Sequence, residues 1–191
     1  MAKQIIECVP NISEGRDLER IDAIVASAKN ISGCKVLGVE PDADYNRTVI
    51  TIAGEPMAVK NAAYNIIEAA IELIDMSKHT GEHPRLGAVD VCPFIPLQNY
   101  TMEQCNDIAN DLAKSIAQDY GVPTFLYGYA ATSPERTLLS SLRKGEYESL
   151  ENRINDKKIH SPTQKPDYGP NNWTKQLSLI HISEPTRQHW I

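Results

Sequence analysis

Residues 79–85 concentrate the side chains of this sequence that could transfer a proton. They include two imidazoles, a carboxylate and a guanidinium, on His79, Glu82, His83 and Arg85. The other three histidines have no comparable set of polar neighbours. Histidine donates and accepts protons near neutral pH with little help from its surroundings. A proton-transfer site is therefore the first hypothesis for this segment.

The same residues match H-x-x-E-H, the zinc-binding pattern of one class of peptidases. That chemistry requires both histidines on one face of a continuous helix. Gly81 weakens a helix by about 1 kcal/mol, and Pro84 biases His83 away from helical backbone. A loop without metal is the better interpretation. The structural alternative is a helix-capping turn with two solvated histidines.

The composition is that of an ordinary folded domain. The chain has 191 residues, of which 41% are hydrophobic and 23% charged, and this is enough for one well-packed core. The net charge of −6 disfavours nucleic acid and membrane surfaces as partners, because both attract basic proteins. An anionic small ligand is still compatible, because a few local arginines can outweigh the average.

Cysteine spacing and hydropathy predict a cytoplasmic protein. The four cysteines are widely spaced, with no C-x-x-C pair: Cys8, Cys34, Cys92 and Cys105. The first ten residues lack the basic start and apolar core of a secretory signal. No apolar run reaches the length of a membrane span. We therefore expect a reducing compartment.

Hydrophobic periodicity predicts the element order β-α-β-β-α-β-α-β-α. Strands are expected at residues 4–9, 34–39, 48–53, 86–94 and 123–129, the fourth stopping at Pro93 and Pro96. Helices are expected at residues 16–31, 59–76, 101–120 (with Thr101 as N-cap and Gly121 as its end) and about 133–144. Two consecutive strands imply antiparallel pairing. We expect an α+β fold, an α/β sandwich whose mixed sheet carries helices on one face. A doubly wound nucleotide-binding fold is excluded, because no G-x-G-x-x-G or P-loop follows a strand.

Six segments connect the chain to a known enzyme family. The longest is 75–96, apart from positions 80, 86 and 89, and it contains the histidine segment. The others are residues 8–15, 46–48, 126–128, 143–148 and 166–170. On these strings, and over roughly residues 3–173, the chain resembles the N-terminal subdomain of the glutamate formimidoyltransferases (formiminotransferases).

The resemblance implies transfer of a formimino group from N-formiminoglutamate to N5 of tetrahydrofolate in histidine degradation. Tetrahydrofolate would be the co-substrate, and no metal is implied. The family's general acid/base corresponds to His83, and its folate contacts include the stretch that begins at Gly169 and Pro170. In the full protein a second subdomain is expected against the other face of the sheet, and a homo-oligomer is expected.

Two arginines are candidates for binding the substrates, because both substrates carry carboxylates. Arg47 and Arg85 could each make a bidentate contact, although Arg47 could equally hold a surface aspartate. Asn11 and Asn46 are further candidates, and Asn11 could instead satisfy the backbone of its own turn.

The roles of the two remaining candidates stay open. Glu82 could orient His83 or only cap the loop. His79 could position His83, bind substrate or be structural. Two rival functions follow from these alternatives: a folate-binding or assembly module without catalysis, and a zinc hydrolase. A formyl donor in place of the formimino donor is also open.

The last part of the chain departs from the family pattern. We assign residues 1–173 to the subdomain and residues 174–191 to a spurious tail, because residues 177–187 read as the translation of a sequencing-library adapter. The tail is therefore excluded from functional reasoning. A short natural variant with a divergent tail is the alternative.

Overall fold

A computed structural model gives one sheet with helices against it, and it describes residues 2–155, 163, 165–170 and 180–184. The strands are β1 (Ile5–Cys8), β2 (Asn11–Ile12), β3 (Cys34–Asp42), β4 (Arg47–Gly54), β5 (Val89–Gln98), β6 (Thr124–Gly128) and β7 (Ile180–Glu184). The α-helices are α1 (Leu18–Lys29), α2 (Pro56–Leu73), α3 (Met102–Tyr120), α4 (Leu139–Arg143) and α5 (Leu150–Asn155).

The sheet contains antiparallel and parallel pairs, as predicted. β1 and β2 are successive pieces of one strand that lies between β4 and β5 and runs antiparallel to both. β3 pairs with the outer edge of β4 as a hairpin. On the other side, β7 lies between β5 and β6 and runs parallel to both. The loops that precede β5 and β6 are therefore at the same end of the sheet.

Helices α1, α2 and α3 form one layer, because α2 contacts both of the others and all three contact the sheet. The core between them is apolar and buried, and includes Ile6, Ile52, Ile66, Phe94 and Leu112. The limits of α3 confirm the prediction. Thr101 and Gln104 form a reciprocal capping box at its start, and Gly121 follows its last residue. The α+β class is thus confirmed, and the three longest helices lie on the same face of the sheet.

Several element boundaries differ from the prediction, and the differences in β5 and α2 involve prolines. β5 begins at Val89 and continues through Pro93 and Pro96. Pro93 still contributes its carbonyl, which accepts a hydrogen bond from Val9 N at 3.2 Å, and the fixed φ of proline suits extended backbone. Helix α2 begins at Pro56, three residues before the predicted start, because proline fits the first helical turn.

The second face of the sheet is partly covered, which sequence reasoning did not predict. Phe125 and Tyr127 of β6 pack with Val91, and with Leu142 of α4 and Leu150 of α5, in a second small core. The expected helix at 133–144 is divided into a 3₁₀ turn at Pro134–Arg136 and α4, and α5 was not predicted. Elsewhere no described helix packs on this face, and its residues on β4, such as Val49 and Thr51, are half-buried.

Strand β7 lies within the predicted tail. Its backbone pairs with β5 and β6 over residues 180–184, while residues 174–179 and 185–191 lie outside the described residues. Pairing uses backbone groups that most sequences can supply, so it does not test the origin of the segment, which stays a prediction. None of the described helices is long and apolar enough to cross a lipid bilayer.

Candidate active site

Three segments meet at the amino end of β5. They are the turn of the β3–β4 hairpin, the loop that carries both histidines, and residues 143–148, which begin with the last residue of α4. Gly81 allows the first two to touch. A Cβ at this position would lie 2.5 Å from Tyr45 O and 2.8 Å from Asn46 Cβ, so only glycine permits this approach.

Asn46 joins the hairpin turn to the histidine loop. Its Nδ2 donates to Thr80 O at 2.8 Å, and its Oδ1 accepts from Gly15 N at 2.9 Å. Its carbonyl faces His79 Nε2 at 3.0 Å. The residue is buried and has a φ of 51°, in the left-handed region that asparagine tolerates better than most residues. Asn46 therefore holds the loop in place.

His79 uses both ring nitrogens inside the protein. Nε2 contacts Asn46 O, and Nδ1 accepts a hydrogen bond from Arg85 Nε at 3.2 Å. This arrangement requires a neutral ring with its proton on Nε2. Burial lowers the pKa of His79 below its usual range, and the nearby Arg85 charge lowers it further, together outweighing the Asn46 carbonyl, which raises it.

Arg85 is buried and has intramolecular partners on every nitrogen. Nη1 donates to Glu146 Oε2 at 2.7 Å, and Nη2 donates to Glu148 Oε1 at 2.8 Å. Burial alone would lower the pKa of Arg85, but the two carboxylates outweigh burial and raise it. The same contact lowers the pKa of Glu148. Arg85 therefore ties the histidine loop to residues 146–148.

His83 lies between Asp90 and Tyr45. Its Nε2 is buried and is 3.5 Å from Asp90 Oδ2, within ion-pair distance but outside hydrogen-bond geometry. Its ring meets the Tyr45 ring edge-on, with 6.2 Å between centroids and 83° between planes. Its Nδ1 makes no hydrogen bond to any described residue and, unlike Nε2, is not closed off from solvent.

Arg47 lies beside the Tyr45 ring and has no acidic partner among the described residues. Its guanidinium carbon lies 5.6 Å from the centre of the Tyr45 ring, on the side chain that also contacts His83. Its buried Nε has no hydrogen-bond partner. A planar guanidinium with an unpaired N–H group is suited to binding a carboxylate.

The other two candidates in the first half of the chain are placed differently. Asn11 is buried in β2, and its Nδ2 donates to Val9 O at 3.0 Å. This is the backbone role that its position in a turn suggested. Glu82 is exposed and makes no ion pair or side-chain hydrogen bond within the described residues. The carboxylate beside His83 is that of Asp90, not Glu82.

Gly169 and Pro170 lie near the start of β6, at the same end of the sheet as the histidine loop. Thr124 N donates to Tyr168 O at 2.9 Å, and Asp167 Oδ2 accepts from Leu126 N at 2.7 Å. Gly169 has a φ of 115°, and a Cβ there would lie 2.6 Å from Val122 O. It also borders an open cleft of about 390 Å³ beside α3.

Sequence reasoning left out three residues that complete this site: Asp90, Arg143 and Tyr45. Asp90 is 1% exposed, and its Oδ2 pairs with Arg143 Nη2. A single carboxylate within the apolar stretch 88–92 could have identified Asp90 from the sequence, because buried acids are rare unless they are paired. The sequence around Arg143 and Tyr45 does not identify them, because each is distant in sequence from the histidine loop and only the tertiary structure brings it to the site.

The arrangement suits proton transfer beside a carboxylate-bearing ligand. It offers an imidazole with an available nitrogen, His83, and an arginine that has no acidic partner among the described residues, Arg47. The two histidines point at different partners, Asn46 and Asp90, so they do not share a common point as two ligands of one zinc ion would. No group of three or more metal-ligating side chains occurs among residues 2–155 and the other described positions.

The chain matches a family of known enzymes. Residues 5–183 match the N-terminal subdomain of the formiminotransferase domain. The chain is 44% identical over 169 residues to a glutamate formimidoyltransferase of Streptococcus pyogenes, covering 88% of the chain and 54% of the relative. It is 44% identical to a glutamate formimidoyltransferase of Thermoplasma acidophilum, covering 87% of the chain and 54% of the relative.

A fused relative is also similar. The chain is 47% identical over 167 residues to a formimidoyltransferase-cyclodeaminase of Dictyostelium discoideum, covering 87% of the chain but 30% of that protein. The chain thus spans about half the length of the single-function relatives and about a third of the fused one. The match over residues 5–183 and these identities establish that the chain belongs to the formiminotransferase family, in its N-terminal subdomain.

Proposed function

We propose that this chain carries the proton-transfer half of a glutamate formimidoyltransferase. The enzyme would move the formimino group of N-formiminoglutamate to N5 of tetrahydrofolate and release glutamate. The names of the relatives support formimidoyl transfer as the reaction. In the proposal His83 is the general acid/base, tetrahydrofolate is the co-substrate, and the reaction belongs to histidine degradation.

The observation that carries the proposal is the different use of the two histidines. His79 has both ring nitrogens engaged by Asn46 and Arg85, so it cannot exchange a proton without breaking the loop. His83 keeps Nδ1 without a partner in the described residues. His83 is therefore the imidazole that can serve the substrate.

The reaction needs one proton to be moved between two nitrogens. The N5 lone pair attacks the carbon of the protonated formimino group, a C–N bond forms, and the electron pair of the C=N bond moves onto its nitrogen. His83 takes the proton that N5 loses, then gives it to the glutamate nitrogen. The C=N bond re-forms, the bond to glutamate breaks, and glutamate departs. One imidazole placed between the two nitrogens serves first as base and then as acid.

Arg47 is the proposed contact for a substrate carboxylate. Among the described residues it has no acidic partner, whereas Arg85 is already held by Glu146 and Glu148. Holding both reactants in place supplies much of the rate of such transfers. We assign Arg85, Asn46 and His79 to positioning the loop.

The folate would lie across the end of the sheet. Gly169 and Pro170 are at the same end as His83, with β7 between their strands. We place the enzyme in the cytoplasm, because its four cysteines are free and buried. The second half of the folate site would come from the part of the enzyme that the relatives have beyond this match.

Replacement of His83 tests the proposal. The assay protein is a hybrid transferase, made of residues 1–173 followed by the Streptococcus pyogenes relative from the residue that aligns with position 174 onward, so that the relative supplies the strand at the place of β7. His83→Ala should lower kcat for transfer from formiminoglutamate to tetrahydrofolate by roughly a hundredfold or more, the usual scale for a positioned proton donor and acceptor.

The control is Asp111→Asn, on the exposed side of α3, where Asp111 pairs only with Lys60. This variant should keep the parent's kcat. If His83→Ala stays within a few-fold of the parent, His83 is not the acid/base.

A further inference from the structure

Asp90 is the acidic side chain beside the His83 ring. It is 1% exposed, at the second residue of β5. Its Oδ1 accepts a hydrogen bond from Leu86 N at 3.1 Å, which fixes the carboxylate against the end of the histidine loop. Its Oδ2 faces two cations or potential cations at once, Arg143 Nη2 and His83 Nε2.

The two ring nitrogens of His83 are in different surroundings. Nε2 is buried and faces Asp90 at 3.5 Å, and it has no hydrogen-bond partner among the described residues. Nδ1 also has no hydrogen-bond partner in the described part of the chain, but it is not fully buried. A carboxylate beside one ring nitrogen favours the tautomer with the proton on that nitrogen, because the N–H can then donate to it.

We propose that Asp90 is a positioning residue that keeps the His83 proton on Nε2, so that Nδ1 is the nitrogen that exchanges protons with the substrate. Arg143 also takes part, because its Nη2 pairs with the same Asp90 Oδ2 that faces His83. Arg143 thereby limits how strongly Asp90 stabilises a charged His83 ring. The inference rests on the proposed function for what Nδ1 does, but not for which nitrogen holds the proton.

The long Nε2–Oδ2 distance fits an unliganded site. Hydrogen bonds to catalytic groups are often long before substrate binds, and shorten in the complex. When Nδ1 accepts a proton, the ring becomes a cation and its attraction to Asp90 increases. Asp90 therefore orients the neutral ring and stabilises the charged one, as the acidic member of a serine protease triad does.

Few other charged groups face this ring. Tyr45 meets it edge-on from the hairpin, with Arg47 on the Tyr45 ring. Arg143 of α4 pairs with Asp90. The buried hydroxyl of Tyr127, on β6, interacts electrostatically with the charges of Arg143 and Asp90. Asp90 is the carboxylate in contact with the ring, so removing it is a clean test.

The tautomer can be measured without any assay of transfer. Ring nitrogen spectra of the full chain, labelled with ¹⁵N-histidine, distinguish the two tautomers, and the spectrum of His83→Gln identifies the His83 signals. We expect Nε2 to carry the proton and Nδ1 to be unprotonated in the neutral ring. A neutral ring with its proton on Nδ1 overturns the proposal, and this result needs no variant of Asp90.

Two variants test the charges in opposite directions. In Asp90→Asn, the pH at which the His83 signal titrates should fall by about one unit, because the charged ring loses its partner. In Arg143→Gln that pH should rise, because the positive charge that competes with His83 for Asp90 Oδ2 is removed. The control Asp111→Asn should leave it unchanged. If the titration pH of the His83 signal shifts in the same direction in both variants, or in neither, the proposed roles of Asp90 and Arg143 are contradicted.

The hybrid transferase gives an independent measurement. Asp90→Asn should lower kcat at least tenfold, with little change in KM, and move the acidic limb of the pH–rate profile to lower pH. A purely structural role would leave that limb in place, and that result would overturn the positioning role. If the parent hybrid transfers no formimino group, the proposed function fails, while the spectra still decide the tautomer.

Discussion

His79 and His83 are four residues apart, yet their side chains have different tasks. The His79 ring links the hairpin to Arg85 through both nitrogens. The His83 ring faces Asp90 on one edge and leaves the other nitrogen available. The H-x-x-E-H pattern, read as a helix, would have joined these rings at one metal ion. The loop at Gly81 separates them instead.

The first prediction at this scale concerns metal content. Because the two rings face different partners, the purified chain should contain far less than one zinc per molecule. Elemental analysis checks this directly, and a chelator should leave the unfolding transition of the chain unchanged. One zinc per molecule that is lost in both His79→Gln and His83→Gln would restore the zinc-hydrolase reading.

The second prediction concerns pH and follows from His79. Its pKa is lowered in the folded state, chiefly by burial, so the unfolded chain binds this proton first as pH falls. The stability contributed by the neutral ring is present above the unfolded value and is lost as pH falls below about 6.5. Urea unfolding at about pH 7.5 and about pH 5.5 measures the loss.

The matched variant is His79→Gln, which keeps a polar side chain that does not titrate. It should be less stable than the parent at the higher pH, and should lose less stability than the parent between the two values. An equal loss of unfolding free energy in both proteins would show that other groups cause the pH dependence. Protonation of His79 would then not destabilise the fold.

At the scale of elements, the site depends on close contact between a hairpin turn and a loop. Gly81 lies against the backbone of Tyr45 and Asn46. Asn46 then bonds Thr80 and Gly15, and Arg85 bonds residues 146 and 148. The hairpin, the loop and the turn after α4 therefore form one unit, and a change at any contact should affect the others.

The prediction for this unit is that Gly81→Ala separates the hairpin from the loop. The new Cβ would lie 2.5 Å from Tyr45 O, which forces the backbone to move and costs about 1–3 kcal/mol of unfolding free energy. The control is Gly38→Ala in β3, where the nearest atoms are 3.9 Å away, so its cost should stay within about 0.5 kcal/mol. Equal costs would show that the contact is not tight.

Elements with local signals were predictable, and contacts between distant residues were not. Thr101 and Gly121 mark the ends of α3 by capping chemistry that lies within the helix itself. The end of β5 was missed, because the effect of Pro93 depends on which neighbour it pairs with. The Asp90–Arg143 pair joins residues 53 positions apart, and no periodicity reports such a contact. His83 itself was identified by resemblance, while its partner Asp90 required the fold.

At the scale of the molecule, the two faces of the sheet differ. Helices α1, α2 and α3 cover one face completely. On the other face, α4 and α5 cover the part around β5 and β6, while the part around β3 and β4 is open. Leu37 there is 61% exposed, and Val49 and Ala53 are half-buried. Open apolar surface of this kind is a site of association in most proteins.

The prediction at this scale is that residues 1–173, expressed alone, self-associate through the open face and do not transfer the formimino group. The glutamate formimidoyltransferases that the chain resembles are almost twice as long as the matched part, and we expect their remaining half to cover this face and complete the folate site. The hybrid transferase should therefore be monodisperse and active. Light scattering gives the mass of both proteins in solution, and a transfer assay gives their turnover.

A variant of the open face can distinguish two roles of the missing half, namely covering that face and completing the active site. Leu37→Lys places a charge on that face without touching the histidine loop, so residues 1–173 with this change should become monomeric and still show no turnover. That result would mean that association is a consequence of the open face, while activity needs groups from the second half. A monomeric, fully active parent fragment would show that residues 1–173 are sufficient, and that the short-variant reading of this chain is the right one.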